Sequence, residues 1–291
     1  LLCFVLSRLD WRRVHGVLSH LTLAWLPAYA ALNVGCLLLK IDRLRRLTRS
    51  TGVAVPFLAA FRMSAESGLL GLVTPGRLGE FVRISHLGAC GVPPFVGAAI
   101  LVAERLTDFG VMLVAAALGF ARFFGDVRGP ALAGLTIAAV PIAAGVFVVG
   151  IRHGIPFALR RLQMGAALAA PRSDFAPLIR ATLTVGVPRA LVIFVGSALQ
   201  VVILAQALGT HVAPWDLTLT YALTAVASLL PISLGGLGTR ETAYILLMGR
   251  IGVGPEEATT LSLLDGFMFP ALLSLVYIAT AALLPRRSAP R

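Results

Sequence analysis

Three short stretches hold the charges that could do chemistry in this chain, and each is set in apolar surroundings. The first runs Thr74-Pro75-Gly76-Arg77-Leu78-Gly79-Glu80-Phe81-Val82-Arg83. Pro75 has no backbone N–H to donate, and Gly76 and Gly79 tolerate positive φ, so this stretch predicts a break in a helix. Glu80 would open the next helix, where a carboxylate suits the positive end of the dipole. The same end attracts a phosphate, and Arg77 and Arg83 flank it as planar forks that match phosphate oxygens. The second stretch, from Pro231 to Glu241, contains Gly235, Gly236 and Gly238 and ends in the pair Arg240-Glu241. It predicts another break followed by another charged helix start.

The third stretch is Glu104-Arg105-Leu106-Thr107-Asp108. On a helix, Glu104 and Asp108 share a face, while Arg105 is rotated by about 100°. Two acids on one face could exchange a proton or neutralise a cation. Arg62 and Glu66 stand at the same helical spacing. His86 and His211 read as loop residues. Intramembrane charges cost at least ~2.5–3.5 kcal/mol each, so they must pair or face water. Two uses follow: lining a path for a polar substrate, or pinning broken helices together.

The elements that would position these groups repeat. Shifting the chain by 161 residues superposes Ser67 on Ser228, Leu69 on Leu230, Glu80 on Glu241, Ile84 on Ile245 and Gly88 on Gly249. Gly91 then falls on Gly252, Val92 on Val253, Pro94 on Pro255, and the acid Glu104 on Asp265. Apolar runs near 17–39, 94–120, 131–151, 182–208 and 256–284 are of membrane-spanning length. Runs near 53–73 and 216–232 end at the two breaks and resume as 81–90 and 242–252. The unit is helix, broken segment, helix, with 131–151 as a connector. Repeat 1 covers about 17–120 and repeat 2 about 178–284 of a single transmembrane domain. Paired interrupted segments in two halves are a pointer to a transport site.

Composition sets the class. Hydrophobic residues make up 58% of the 291 and charged ones only 13%, about half the soluble average. Several runs approach the roughly 20 apolar residues that cross a bilayer as helix. The runs do not alternate polar and apolar positions, which excludes a membrane β-barrel. The predicted fold is an all-α, polytopic helical bundle. The net charge of +12 comes from arginines spread between apolar runs rather than one dense patch, so cytoplasmic loops explain it better than nucleic acid does. Cys3, Cys36 and Cys90 have no metal-ligand or disulfide spacing, and no HExxH, phosphate-loop or GxSxG motif occurs. No metal or organic cofactor is expected.

Loop charge predicts orientation. Segment 40–49 carries Lys40, Arg43, Arg45, Arg46 and Arg49, whereas 209–216 has no Lys or Arg. Segment 152–180 and the tail, with Arg286, Arg287 and Arg291, are also basic. Placing these three regions inside requires an even number of crossings between them and inverts the second repeat. Arg8, Arg12, Arg13, Arg122 and Arg128 then fall outside. The C-terminus would be cytoplasmic. Stretch 155–170 fits an interfacial helix or an ordinary inside loop equally well. Leu1–Leu6 reads as the end of an apolar helix that starts before the chain does.

The stretches TPGRLGEFVR (74–83), ERLTD (104–108) and LLPISLGGLGTRE (229–241) resemble signatures of the lysylphosphatidylglycerol synthase/flippase transmembrane family. With the hydropathy pattern, the resemblance spans about residues 10–284. It implies a multi-pass inner-membrane protein that moves polar-headed lipids between leaflets, with a lipid-modifying enzyme as a partner. Some family members add a soluble aminoacyl-transferase domain after the membrane part; this chain stops at Arg291, so lysyl transfer is not expected of it. The leading expectation is thus a lipid flippase. Arg77, Arg83 and Arg240 would hold the lipid phosphate, and Glu80 and Glu241 would orient those arginines or engage a cationic headgroup. Glu104, Asp108 and Asp265 would complete the charge balance, one of them as the carrier of a coupling proton, and Arg105 would line the same substrate site. A membrane enzyme or accessory subunit of lipid-linked sugar or aminoacyl-lipid metabolism, with Glu104 and Asp108 as acid and base, and a small-solute transporter are the alternatives.

Overall fold

In a computed structural model the protein is described over residues 11–19, 21–74, 79–124, 176–228 and 236–283. Pro75, Gly76, Arg77, Pro231, Gly235, the connector 131–151, the stretch 155–170 and the basic tail lie outside these residues. Among the described residues every regular element is a helix. A short α1 (Trp11–Ser19) precedes α2 (Leu26–Ser50), which is entered through a 3₁₀ turn at Leu23–Trp25. Then come α3 (Phe57–Val73), α4 (Val82–Ala89) and α5 (Pro94–Phe124). The second set begins with α6 (Ala176–Ala181), which runs through a π turn (Thr182–Gly186) into α7 (Val187–Ala207). It continues with α8 (Pro214–Ala227), α9 (Thr239–Gly249) and α10 (Pro255–Leu283).

Local chemistry sets the helix ends. Pro94, Pro214 and Pro255 each occupy a first helical position, where a missing N–H costs nothing. After α4 the chain turns at Gly91 (φ +85°), and the Val92 N–H donates to the Leu87 carbonyl at 3.0 Å. After α9 the same turn recurs at Gly252 (φ +85°), with Val253 N–H donating to Met248 at 3.1 Å. Both are left-handed glycine caps that satisfy the last carbonyls of a helix. They stand 161 residues apart, and so do the starts of α5 and α10.

The two sets pack in matching ways. α2 packs on α3 as α7 packs on α8, and α4 on α5 as α9 on α10. Across the sets, α5 lies against α8 and α3 against α10. At the centre, α2 and α7 run antiparallel: Thr22 N–H donates to the Ala207 carbonyl at 2.8 Å, Asn33 Nδ2 to Gln200 Oε1 at 3.2 Å, and Arg189 Nη2 pairs with Asp42 Oδ2 at 2.6 Å. Residue numbers rise along one helix as they fall along the other.

Burial is inverted relative to a water-soluble bundle. On α7, Leu191, Val192, Val195 and Leu199 form an exposed apolar face, while Gln200 is buried. Arg43, Glu80, Glu104 and Glu241 are buried too. Lipid is the solvent that suits such a surface, since only internal partners then satisfy the polar groups. Leu23–Ser50 and Ala176–Ala207 are both long and apolar enough to cross a membrane.

Three boundaries differ from the sequence reading. The apolar run 17–39 is divided: α1 ends at Ser19, and helical structure resumes with the 3₁₀ turn at Leu23. The basic segment 40–49 is helix rather than loop, since Ile41, Leu44 and Leu47 give it a buried stripe that extends α2 to Ser50. His86 lies within α4, with Nε2 at 3.7 Å from Glu66, rather than in a loop.

The α2–α7 crossing is tight at one point: a Cβ on Gly196 would approach the Cys36 sulfur to 2.5 Å. Gly196→Ala should therefore destabilise the detergent-solubilised protein by about 1–3 kcal/mol. Adding Cys36→Ala should restore most of the loss in a thermal melt.

Candidate functional site

The first break brings four elements onto one cluster of charge. Thr74 Oγ1 accepts from the Gly79 N–H at 2.7 Å and donates to the Leu70 carbonyl at 2.8 Å, closing the loop between α3 and α4. Gly79 lies so near the Leu70 carbonyl that no Cβ would fit. This fixes Glu80 against Gly71, where a Cβ would meet the Glu80 side chain at 2.7 Å. Glu80 is buried and forms an ion pair with Arg105 of α5.

One helical face away, Glu104 holds two arginines. Arg83 of α4 donates to Glu104 Oε2 at 2.7 Å and reaches Ser67 of α3 at 3.0 Å. Arg43 of α2 lies 3.5 Å from Glu104 Oε1 and forks onto Asp108, at 2.5 and 3.0 Å. Glu104 and Asp108 thus do share a face, and Arg105 points elsewhere, as the helical spacing predicts. Three arginines (Arg43, Arg83, Arg105) balance three acids (Glu80, Glu104, Asp108). Arg105 is the most open of these arginines, with 30% of its side chain exposed.

Arg43 is the residue that sequence reading missed. It sat among five basic residues that looked like a cytoplasmic loop. The usable signal was its spacing from Lys40 and Leu47 on a helix that had not yet ended.

The second break builds a smaller cluster. Gly236 and Gly238 both take positive φ, +81° and +89°, and so provide the turn before α9. Glu241 caps the start of α9 by reaching back to the Gly238 N–H, from which it accepts at 2.5 Å. Its other oxygen, Oε1, takes Arg240 at 3.0 Å and the Ser262 hydroxyl at 3.2 Å. Arg240 also reaches Ser262, at 3.3 Å, and packs so closely on Gly266 that no side chain would fit there. Asp265, on the same helix as Ser262, lies beside Arg240 and Tyr244.

The predicted residues therefore gather as two clusters rather than one continuous line: Glu80, Arg83, Glu104, Arg105 and Asp108 in the first, and Arg240, Glu241 and Asp265 in the second. Arg83 and Arg240 share a chemistry. Each has one edge on a carboxylate and another on a serine hydroxyl, which is the weaker and more exchangeable partner. Among the described residues no group of His, Cys, Asp and Glu has metal-binding geometry.

Buried, paired charge at two helix breaks, inside a bundle whose outer face is apolar, defines a helical membrane protein with a polar interior. The sequence profile described as the lysylphosphatidylglycerol synthase TM region matches residues 1–276, and the chain belongs to this family. A comparison with curated proteins gives no match.

Removing Arg43 would leave Glu104 and Asp108 short of a partner. Arg43→Ala should cost about 3–5 kcal/mol of stability. The charge-balanced double variant Arg43→Met/Asp108→Asn should recover a large part of it, as read from unfolding in detergent.

Proposed function

We propose that this protein is a multi-pass lipid transporter of the cell membrane, which moves a phosphate-bearing headgroup between leaflets along the two charge clusters. The observation that carries this reading is the pairing of two helix breaks, each with an arginine held between an acid and a serine. Family membership gives it a lipid context.

In this reading α2–α5 and α7–α10 are inverted repeats. The antiparallel α2–α7 pair supports it, because two equivalent helices that run in opposite directions cross the bilayer in opposite senses. Glu104 and Asp265 each lie ten positions past the proline that starts their helix, Pro94 and Pro255. Ten residues of helix rise about 15 Å, half of a hydrocarbon core of about 30 Å. Measured from opposite faces, both acids then lie near the midplane, where transporters of this build bind their substrates. The basic end of α2 and the start of α7, joined through Asp42 and Arg189, lie on one side, taken as cytoplasmic.

The headgroup would move between arginines. Arg83 and Arg240 would exchange their serine bonds for phosphate oxygens, keeping the acid as the second partner, so neither cation is left bare. Glu80 would position Arg105, the most open of the first cluster's arginines. The acyl chains would stay in the bilayer beside the apolar outer face, so only the headgroup needs a polar route.

Vesicles containing the purified protein and a trace of fluorescent phosphatidylglycerol test this, with a membrane-impermeant reductant reporting headgroup transfer. Arg240→Ala should slow transfer about tenfold to hundredfold, the worth of a charged hydrogen bond. Glu80→Gln should slow it less, by disordering Arg105. Wild-type rates in both folded variants would sink the assignment.

A further inference from the structure

The two clusters treat equivalent acids differently. Glu104 is clamped between Arg43 and Arg83. Its counterpart Asp265 has no such clamp: the position equivalent to Arg83 is Tyr244, and α7 contains no cation deeper than Arg189, which is engaged by Asp42. Among the described residues Arg240 is the one cation acting strongly on Asp265, and its bonds go to Glu241 and Ser262. One arginine therefore faces two acids, whereas the first cluster is balanced.

The surroundings of Asp265 are those of a group that changes charge. It lies ten residues inside α10 and is half-buried there. Tyr29 of α2 and Tyr244 of α9 are fully buried, and neither hydroxyl makes a hydrogen bond of good geometry. Both feel the Asp265 carboxylate, and buried polar atoms are seldom left in that condition. Tyr221 of α8 lies near both tyrosines. α1 and α3 also pack on α10, but the groups acting most strongly on Asp265 are Arg240, Tyr244 and Glu241.

We propose that Asp265 is a reversible proton-binding site, with Tyr29 and Tyr244 as its hydrogen-bonding frame. A proton taken from water forms an O–H bond at one carboxylate oxygen and returns to water on release. Protonated, Asp265 leaves Arg240 balanced by Glu241 alone and the cluster neutral. Ionised, it makes the cluster net negative and offers Arg240 a second carboxylate, which competes with a phosphate for the guanidinium. Proton binding would thus decide whether Arg240 is available to a headgroup. That last consequence rests on the transport reading; the proton site itself does not.

Dicyclohexylcarbodiimide, which reacts with protonated carboxyls in apolar surroundings, tests the site directly. The full chain in phosphatidylglycerol/phosphatidylethanolamine vesicles is labelled across a pH series, and each acid is quantified by peptide mass spectrometry. Labelling of Asp265 should rise as pH falls and, above its midpoint, drop about tenfold per pH unit. Glu104, held by two arginines, is the ion-paired comparison in the same sample. Tyr244→Phe should move the Asp265 midpoint without unfolding the protein. An Asp265 that is unlabelled at every pH, or whose labelling does not respond to pH, overturns the proposal. So does protection by sodium at constant pH, which would make this a sodium site. Labelling that follows pH in a protein that transfers no lipid would leave the proton site standing and remove the transport reading instead.

Discussion

A carboxylate that is taken out of water must find a cation, and the first half of this protein is arranged around that demand. Glu104 is buried about a third of the way along α5, and two arginines from two other helices meet it there. Because Arg43 comes from α2 and Arg83 from α4, the pairing fixes the relative position of three helices. It also fixes the break, since α4 can present Arg83 only if the chain has turned back at Thr74 and Gly79. Burying these ions costs several kcal/mol each, so the cluster is better understood as a specification of geometry than as a source of stability.

Much of this was legible in the sequence. The breaks were visible because Pro and Gly interrupt apolar runs, and the pairing of breaks because Glu80 and Glu241 share a register. The common face of Glu104 and Asp108 follows from helical spacing alone, and Arg43 bridges both acids as that spacing allows. What was hidden is equally specific. Arg43 could not be separated from Arg45, Arg46 and Arg49 by composition, because its partner Asp108 is 65 positions away. Likewise, the serine partners of Arg83 and Arg240 carry no signal of their own; Ser67 and Ser262 become meaningful only when α3 and α10 are folded against the breaks.

The halves are alike in path and unlike in charge. Both contain a glycine-capped short helix, a proline-started long helix and an acid at equal depth along it. Yet α2 brings Arg43 to Glu104, whereas α7 has the buried Leu204 at the equivalent position, and Tyr244 stands where Arg83 would. Repeats that had kept the same charges would offer two equivalent stations to a headgroup. As they stand, the first cluster is charge-balanced and the second has a surplus acid.

The central claim is that Arg83 and Arg240 face a lipid headgroup, and native mass spectrometry of protein released directly from membranes tests it most plainly. The account predicts that the wild-type chain carries a phosphate-headed lipid, and that the folded Arg83→Ala/Arg240→Ala variant loses it while an Arg250→Ala variant does not. Equal lipid retention in all three would contradict it.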